Sequence, residues 1–382
     1  RKEREFQALK RLTADGLPVP QSVDIGVCDD GRRVYSLVTW CEGEEAEAVL
    51  PKLPETMQYV LGVTAGRVLR RIHEMPAPAD QEPWDSRFNR KIDGRIAQYR
   101  TCGVKMEGDD QFIAYIEANR HLLQGRPQCF RHGDYHVGNM LISPEGELKV
   151  TDFNRSDYGD PWEEFDRIVW SAAVSPHFAT GQIHGYFNGH PPEPFFRLLA
   201  LYICCNTLSS IPWAISYGER EVAVMQKQAQ DVLVWFDGMN RPVPTWYLAD
   251  FYVQYIGRVP CKLKAPFDFS FLRKYGEVFR VFDDQDSGNL CFGVRKGERK
   301  YFVKFAGAPT EQYAGDPKDA VARLRAAVQV YRDLAHPHLI RLVDAEEVGG
   351  GYAAVFEWVD GACWGRMYPL SREKFLQLSD PD

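Results

Sequence analysis

Apolar positions fall at helical spacing in residues 3–12, where Phe6, Leu9 and Leu12 share a face and charges take the other. VPQSVDIGVC and RRVYSLVTW then alternate, predicting two strands joined by a turn at DDGR. The polar, acidic CEGEEAEAV reads as a connector. MQYVLGVTAGRVLRRIHEM predicts a strong amphipathic helix, and residues 111–123 predict another. Residues 129–155 read as strand, loop, strand, turn, strand: CFRHGD, a polar loop, MLIS, PEGE, LKVTDF. From Pro161 to Phe236 the pattern is helical, PFFRLLALYICCNTL being its most apolar part, and NRPVPTWYLADF closes it. No stretch is expected to approach the length of a membrane span.

A different pattern begins near Phe267. FRVFDD, NLCFGVRKG and RKYFVKFAG predict three strands, AVARLRAAVQVYRDL a helix, and HLIRLVDAEEV and GYAAVFEWVDG two more strands. The order helix, strand, strand, acidic connector therefore occurs twice, at 3–47 and at 320–362. Only the second copy has three strands before it.

Composition adds limits. The 382 residues allow two or three domains. The content, 45% hydrophobic and 26% charged, is that of an ordinary globular chain. A formal net charge of -7 argues against a nucleic-acid or anionic-membrane surface. The cysteines are scattered, without a C-x-x-C pair or zinc-ligand spacing, so reduced thiols in a cytoplasmic protein are expected.

The chemistry concentrates in RHGDYHVGNM, residues 131–140. Moving the γ-phosphoryl group of ATP needs a carboxylate for the acceptor's proton, oxygen ligands for magnesium, and cations over the phosphates. Asp134 suits the first role. Asn139, five residues on, offers a hard neutral oxygen for Mg²⁺. Asp152, in LKVTDF, supplies a charged ligand, and the turn at PEGE would bring it back beside Asn139. His136 is expected to hydrogen-bond within its loop, as a structural residue.

HGDYHVGN, followed by TDF and YGDPWEEFD, resembles the aminoglycoside phosphotransferase/choline kinase family, whose fold is similar to that of protein kinases. GRVLRRIH fits the same family, and the resemblance runs from about residue 1 to about 247. It implies an α+β, protein-kinase-like fold: an incomplete small lobe, a helical large lobe, then a second β-rich small lobe. The expected domains are a partial small lobe (1–46), the large lobe (47–247), a linker (248–266) and a second, truncated small lobe (267–382). The resemblance makes Asp134 the catalytic base and Asn139 and Asp152 the Mg²⁺ ligands. Asp160 and Asp166, with His132 and His136, would brace the loop. Thr39, Trp40 and Cys41 would form a hinge offering backbone hydrogen bonds to adenine, and Glu5 would pair with the phosphate-binding lysine.

That lysine is missing from the expected place, since the family puts it on strands before the first helix. RKYFVKFAG resembles the lysine strand of kinases, with Lys304 in position. Its preceding loop, DDQDSGN, is acidic and lacks G-x-G-x-x-G, and the helix position for the pairing glutamate holds Ala327. Either the chain is a fragment of a tandem protein, or the late lobe completes the early one in permuted order. The uncapped first helix and the abrupt end favour the tandem fragment. The expected function is ATP-dependent transfer to a hydroxyl of an aminoglycoside- or choline-like small molecule. The acidic residues at 42–47 and in PPEPF would suit a cationic substrate. The rivals are a nucleotide-binding or regulatory pseudokinase and a serine/threonine kinase-like enzyme. No nucleic-acid or membrane partner is expected.

Overall fold

The computed structural model describes residues 2–334 and 336–361. The chain divides into two units at Leu248/Ala249.

The first unit opens with α1 (Lys2–Ala14), which buries Ala8, Leu9 and Leu12 and keeps Glu3 and Glu5 in its first turn, where the helix dipole favours them. A two-stranded antiparallel hairpin follows, β1 (Ser22–Cys28) and β2 (Arg33–Val38). Its turn runs through Asp29, Asp30 and Gly31, all with positive φ, as the DDG sequence predicts. Next come β3 (Glu44–Glu45), α2 (Ala46–Val49), α3 (Glu55–Ile72), α4 (Trp84–Thr101) and α5 (Asp109–Asn119). Four short strands carry the motif region: β4 (Cys129–Arg131), β5 (Met140–Ile142), β6 (Leu148–Val150) and β7 (Asp157–Gly159). β4 pairs with β7, while β3, β5 and β6 form a three-stranded sheet. Helices α6 (Ile168–Val174), α7 (Pro176–Phe187), α8 (Glu193–Ile215) and α9 (Glu219–Trp235) complete the unit.

Small residues set the closest helix contact. A Cβ added at Gly62 or Gly66 of α3 would come within 2.1 Å of a carbonyl oxygen on α7, that of Phe178 or Gln182. Gly181 and Gly185 of α7 meet the carbonyls of Tyr59 and Val63 in return. Four-residue spacing puts each glycine pair on one helix face, so the two backbones touch. α8 departs from the sequence expectation about membrane-length segments: its 23 residues are long and apolar enough to cross a bilayer. Most of it is buried inside the unit, which explains why it is apolar all round.

The second unit begins with a hairpin, β8 (Tyr252–Ile256) and β9 (Val259–Leu263), turning at Gly257. The segment 248–266 is therefore not a linker. Ile256, Cys261 and Leu263 enter a buried cluster with Leu272, Phe292, Val303 and Phe305. A five-stranded antiparallel sheet follows, built from β10 (Glu277–Phe282), β11 (Asn289–Lys296), β12 (Arg299–Ala306), β13 (Leu342–Val348) and β14 (Gly351–Glu357), in the order β10-β11-β12-β14-β13. Helix α10 (Pro317–Asp333) lies between β12 and β13 in the chain and is capped by Asp316, whose carboxylate accepts the Lys318 N–H. Alternation along β12 splits the core: Val303 and Phe305 face the hairpin side, while Phe302 and Ala306 join Leu324 and Val328 of α10 on the other.

The repeat read from the sequence is structural. α1-β1-β2 and α10-β13-β14 have the same order, and both hairpins are antiparallel. All described cysteines are free thiols.

Candidate active site

The loop between β4 and β5 is fixed by hydrogen bonds its own sequence supplies. His132 is fully buried; its Nε2–H donates to the Thr151 carbonyl (2.8 Å) and its Nδ1 accepts the Asp134 N–H (3.2 Å). One tautomer thus ties the loop to the end of β6. Gly133 has φ of 87°, and a Cβ there would lie 2.2 Å from the Arg155 carbonyl oxygen, so only glycine fits. Its N–H donates to Glu164 Oε1 (2.8 Å). Burial alone would push Glu164 up, but hydrogen bonding to His73 and the charge of Arg131 hold it down at about 2.

Asn139 and Asp152 come together as the sequence predicts. β5 and β6 pair Met140 with Val150. The Asn139 carbonyl accepts the Thr151 N–H (2.9 Å), which puts Asp152 next to it. Asn139 Nδ2 donates to the Asp134 carbonyl (2.8 Å), leaving its Oδ1 for a ligand. Asp152 is exposed and sits in the left-handed region (φ 62°), a costly conformation for a non-glycine residue that is common at functional sites.

Asp134 lies among basic side chains. Arg167 Nε is 3.3 Å from its Oδ1, Arg155 Nε is 3.6 Å from its Oδ2, and His136 Nε2 is 3.6 Å from Oδ1. His136 caps the turn 137–139 through its Nδ1, which accepts the Gly138 N–H (3.1 Å); burial lowers its pKa, against the pull of Asp134. A cavity of about 760 Å³ opens beside Asp134, walled by α4, α6, α8 and α9, with Arg95, Trp170, Asn206, Trp213 and Gln228 among its lining.

The bracing residues are buried. Asp160 accepts a two-pronged bond from Arg126 (2.7 and 2.9 Å), the Tyr202 hydroxyl (2.6 Å) and the Trp162 N–H (2.9 Å). Asp166 is 3.7 Å from Arg167 Nε, and burial raises its pKa.

Three expectations change. Glu5 pairs with Lys2 at 2.9 Å, one turn away, in place of a phosphate lysine. The Thr39 N–H donates to the Gln21 carbonyl (2.9 Å), so that amide is not free for adenine; Trp40 is 84% exposed and Cys41 half-buried. Lys304 belongs to the second unit, on the α10 side of β12 between Cys291 and Ala354, and no described carboxylate lies within ion-pair distance of it. Ala327 leaves α10 without an acid at that position. The acidic loop before β11 is itself tied down: Asp284 pairs with the buried Lys262 Nζ (2.6 Å) and Asp283 accepts the Lys262 N–H (2.8 Å).

The sequence reading missed Arg95, Arg155 and Arg167. It followed the carboxylates, although two of these arginines stand in the same motif region, three residues after Asp152 and one after Asp166.

The chain was compared with known proteins. The family model described as the phosphotransferase enzyme family matches residues 1–196. A curated mouse (Mus musculus) protein, acyl-CoA dehydrogenase family member 10, is 26% identical over 173 residues, 42% of this chain. That match spans only 16% of the relative's length. Among solved structures, a thermostable mutant of aminoglycoside phosphotransferase APH(4)-Ia, in a complex with ADP and hygromycin B, is 18% identical; the match covers 60% of this chain and 81% of that one, with a TM-score of 0.46. A choline/ethanolamine kinase family protein from Mesorhizobium loti is 12% identical, covering 61% and 79%, with a TM-score of 0.47. The family model spans just over half of the chain and contains the whole Asp134–Asp152 loop and hairpin: the chain belongs to the phosphotransferase enzyme family.

Proposed function

We propose that the first unit transfers the γ-phosphoryl group of ATP to a hydroxyl of a small molecule. The observation that carries this is Asp134 at the cavity wall, with Asn139 and Asp152 side by side at the end of its loop. In the reaction, the acceptor oxygen bonds to the γ-phosphorus while the bond from that phosphorus to the β–γ bridging oxygen breaks. The bridging oxygen keeps the electron pair and leaves with ADP, and the acceptor proton passes to an Asp134 oxygen. Arg155 and Arg167 hold that carboxylate in place. Mg²⁺, bound with the nucleotide, would neutralise phosphate charge. The Asn139 Oδ1 and the exposed Asp152 carboxylate suit it, since this ion takes few protein ligands and completes its shell with phosphate oxygens and water.

The second unit is read as non-catalytic, because among the described residues no acid pairs with Lys304 and the loop before β11 is acidic.

Asp134→Asn and Asp152→Asn separate the roles. Asp134→Asn is expected to lower turnover by about a hundredfold or more while Mg–ATP affinity holds. Asp152→Asn is expected to weaken Mg–ATP binding as well, measured by calorimetry. Near-normal turnover in Asp134→Asn would sink the base assignment.

A further inference from the structure

The cavity beside Asp134 holds an arginine whose hydrogen-bond donors are mostly unspent. Arg95, on α4, contributes a guanidinium to its lining, and that group's described polar contact is a hydrogen bond to the Cys205 thiol at 3.2 Å. A thiol is a weak acceptor, and a guanidinium has five N–H donors. Asp166 feels the charge of Arg95, but its described ion pair is with Arg167 (3.7 Å). Arg167 and Arg155 line the same cavity; the Arg167 Nε is buried against Asp134 Oδ1 at 3.3 Å. Asp134 is already engaged by these two arginines. Of the remaining acids in the lining, Glu47 is exposed and Glu221 half-buried.

From this geometry we infer that the acceptor is an anionic hydroxyl compound. Its carboxylate or phosphate ester is held by Arg95, with Arg167 within reach, and its hydroxyl is presented to Asp134. The inference rests on the phosphotransferase reading for the second half of that statement only. An oxyanion matches the planar donor fork of arginine, and a half-buried cation with spare donors is more stable when such a ligand arrives. An ammonium group beside Arg95 would meet a like charge and could accept none of its hydrogen bonds. Trp170 and Trp213 give the cavity flat apolar walls, which suit a hydrocarbon or aromatic middle section between the two polar ends.

The test is calorimetric binding to the full chain. The probes are 3-hydroxybutyrate, 4-hydroxyphenyllactate and glycerol 3-phosphate, set against choline and kanamycin. The anionic probes are expected to bind in the millimolar range or tighter, and less well as salt rises. Arg95→Gln is expected to weaken that binding about tenfold or more, with Arg95→Lys recovering part of it. Both variants are checked for an unchanged melting temperature. If glycerol 3-phosphate binds far better than either hydroxy acid, the oxyanion is a phosphate ester. Choline or kanamycin binding as tightly as the acids overturns the inference, as does the absence of binding by all three anionic probes or an Arg95→Gln variant with unchanged affinity. The two readings fail separately. Acids that bind but are not phosphorylated from Mg–ATP would leave the pocket assignment standing and count against the phosphotransferase. Phosphorylation of choline or kanamycin without the anionic probes binding would do the reverse.

Discussion

The two copies of the helix–strand–strand repeat use the same register to different ends. In the first, Cys28 pairs with Arg33 across the turn; in the second, Val348 pairs with Gly351. Leu37 and Val355 occupy matching places, as do Trp40 and Trp358. Yet Leu37 is 53% exposed and Val355 only 4%. The difference is the neighbour. β14 lies between β12 and β13, covered by α10 on one face and by the core below the β8–β9 hairpin on the other, whereas β2 pairs only with β1 among the described residues. Alternation in a sequence states which residues could be buried; the adjoining strand and the covering layer decide whether they are. The chemistry divides in the opposite sense. The first unit carries Asp134, Asn139 and Asp152, while the second, with the five-stranded sheet, carries a lysine that has no acid partner among the described residues.

Charge placed in the two matching strands should expose the contrast most strongly. Val355→Asp would bury an unpaired carboxylate between layers and is expected to cost about 4 kcal/mol or more. Leu37→Asp is expected to change stability by no more than about 0.5 kcal/mol, since the side chain stays in water. Hydrogen exchange would resolve the units: amide protection in β11 and β12 should collapse in the first variant, and protection in the first unit should hold in the second. Similar losses from both would mean that β2 is covered in solution.

Acid should separate the units next. His184 accepts or shares hydrogen bonds with the Tyr59 hydroxyl (2.8 Å) and the Tyr247 hydroxyl (3.0 Å), and burial pushes its pKa down from 6.5 to about 4. The unfolded chain therefore binds more protons between these values, and the first unit loses stability as pH falls from 6.5 to 4. The full loss is about 3 kcal/mol. His73, also pushed down by burial, adds in the same direction. The second unit's described histidines, His336 and His338, are exposed. Denaturation at the two pH values should show the first unit's transition moving while the second unit's responds less. A slope that survives His184→Gln undiminished would place the proton elsewhere.

How much of this was legible follows from what each signal depends on. The loop, the hairpin after it and the repeat were readable, because Asp134, Asn139 and Asp152 sit in short segments whose geometry is set locally. α4 was not read, although Trp84, Phe88, Ile92 and Ile96 recur every four residues, because the rest of WDSRFNRKIDGRIAQYRT is so polar. Missing that helix meant missing Arg95. The segment 248–266 passed for a linker because the strand pattern was read only from near Phe267; Pro260 instead sits in one strand of a two-stranded pair, where prolines are tolerated at edges. The free state of β2 was beyond reach, since it depends on what lies beside it.

A smaller difference is expected at the tryptophans that end each repeat. Trp358 packs edge-on to Phe279 (5.0 Å between centroids) and donates its Nε1–H to Asp360 (2.7 Å). Trp358→Ala should cost about 1–2 kcal/mol, while Trp40→Ala, at 84% exposure, should cost nearly nothing. Fluorescence gives a second reading, since the exposed Trp40 should be quenched by iodide more readily than Trp358.

The smallest effect is expected where the kinase resemblance is strongest. Lys304 stands on the α10 side of β12, where that resemblance puts a phosphate-binding lysine. Such a lysine is useful when an acid on the helix holds its amine toward the nucleotide. Here α10 offers Ala327, and among the described residues no carboxylate reaches the amine. The loop that would cover the phosphates contributes Asp283 and Asp284, both engaged with Lys262, and would repel them. Lys304→Ala in the full chain is therefore expected to leave Mg–ATP affinity unchanged by calorimetry, while Asp152→Asn weakens it. A comparable loss from both would show that the lysine and the magnesium carboxylate serve one nucleotide. A double-mutant cycle coupling Lys304 to Glu5 would go further and make the second unit the missing part of the first.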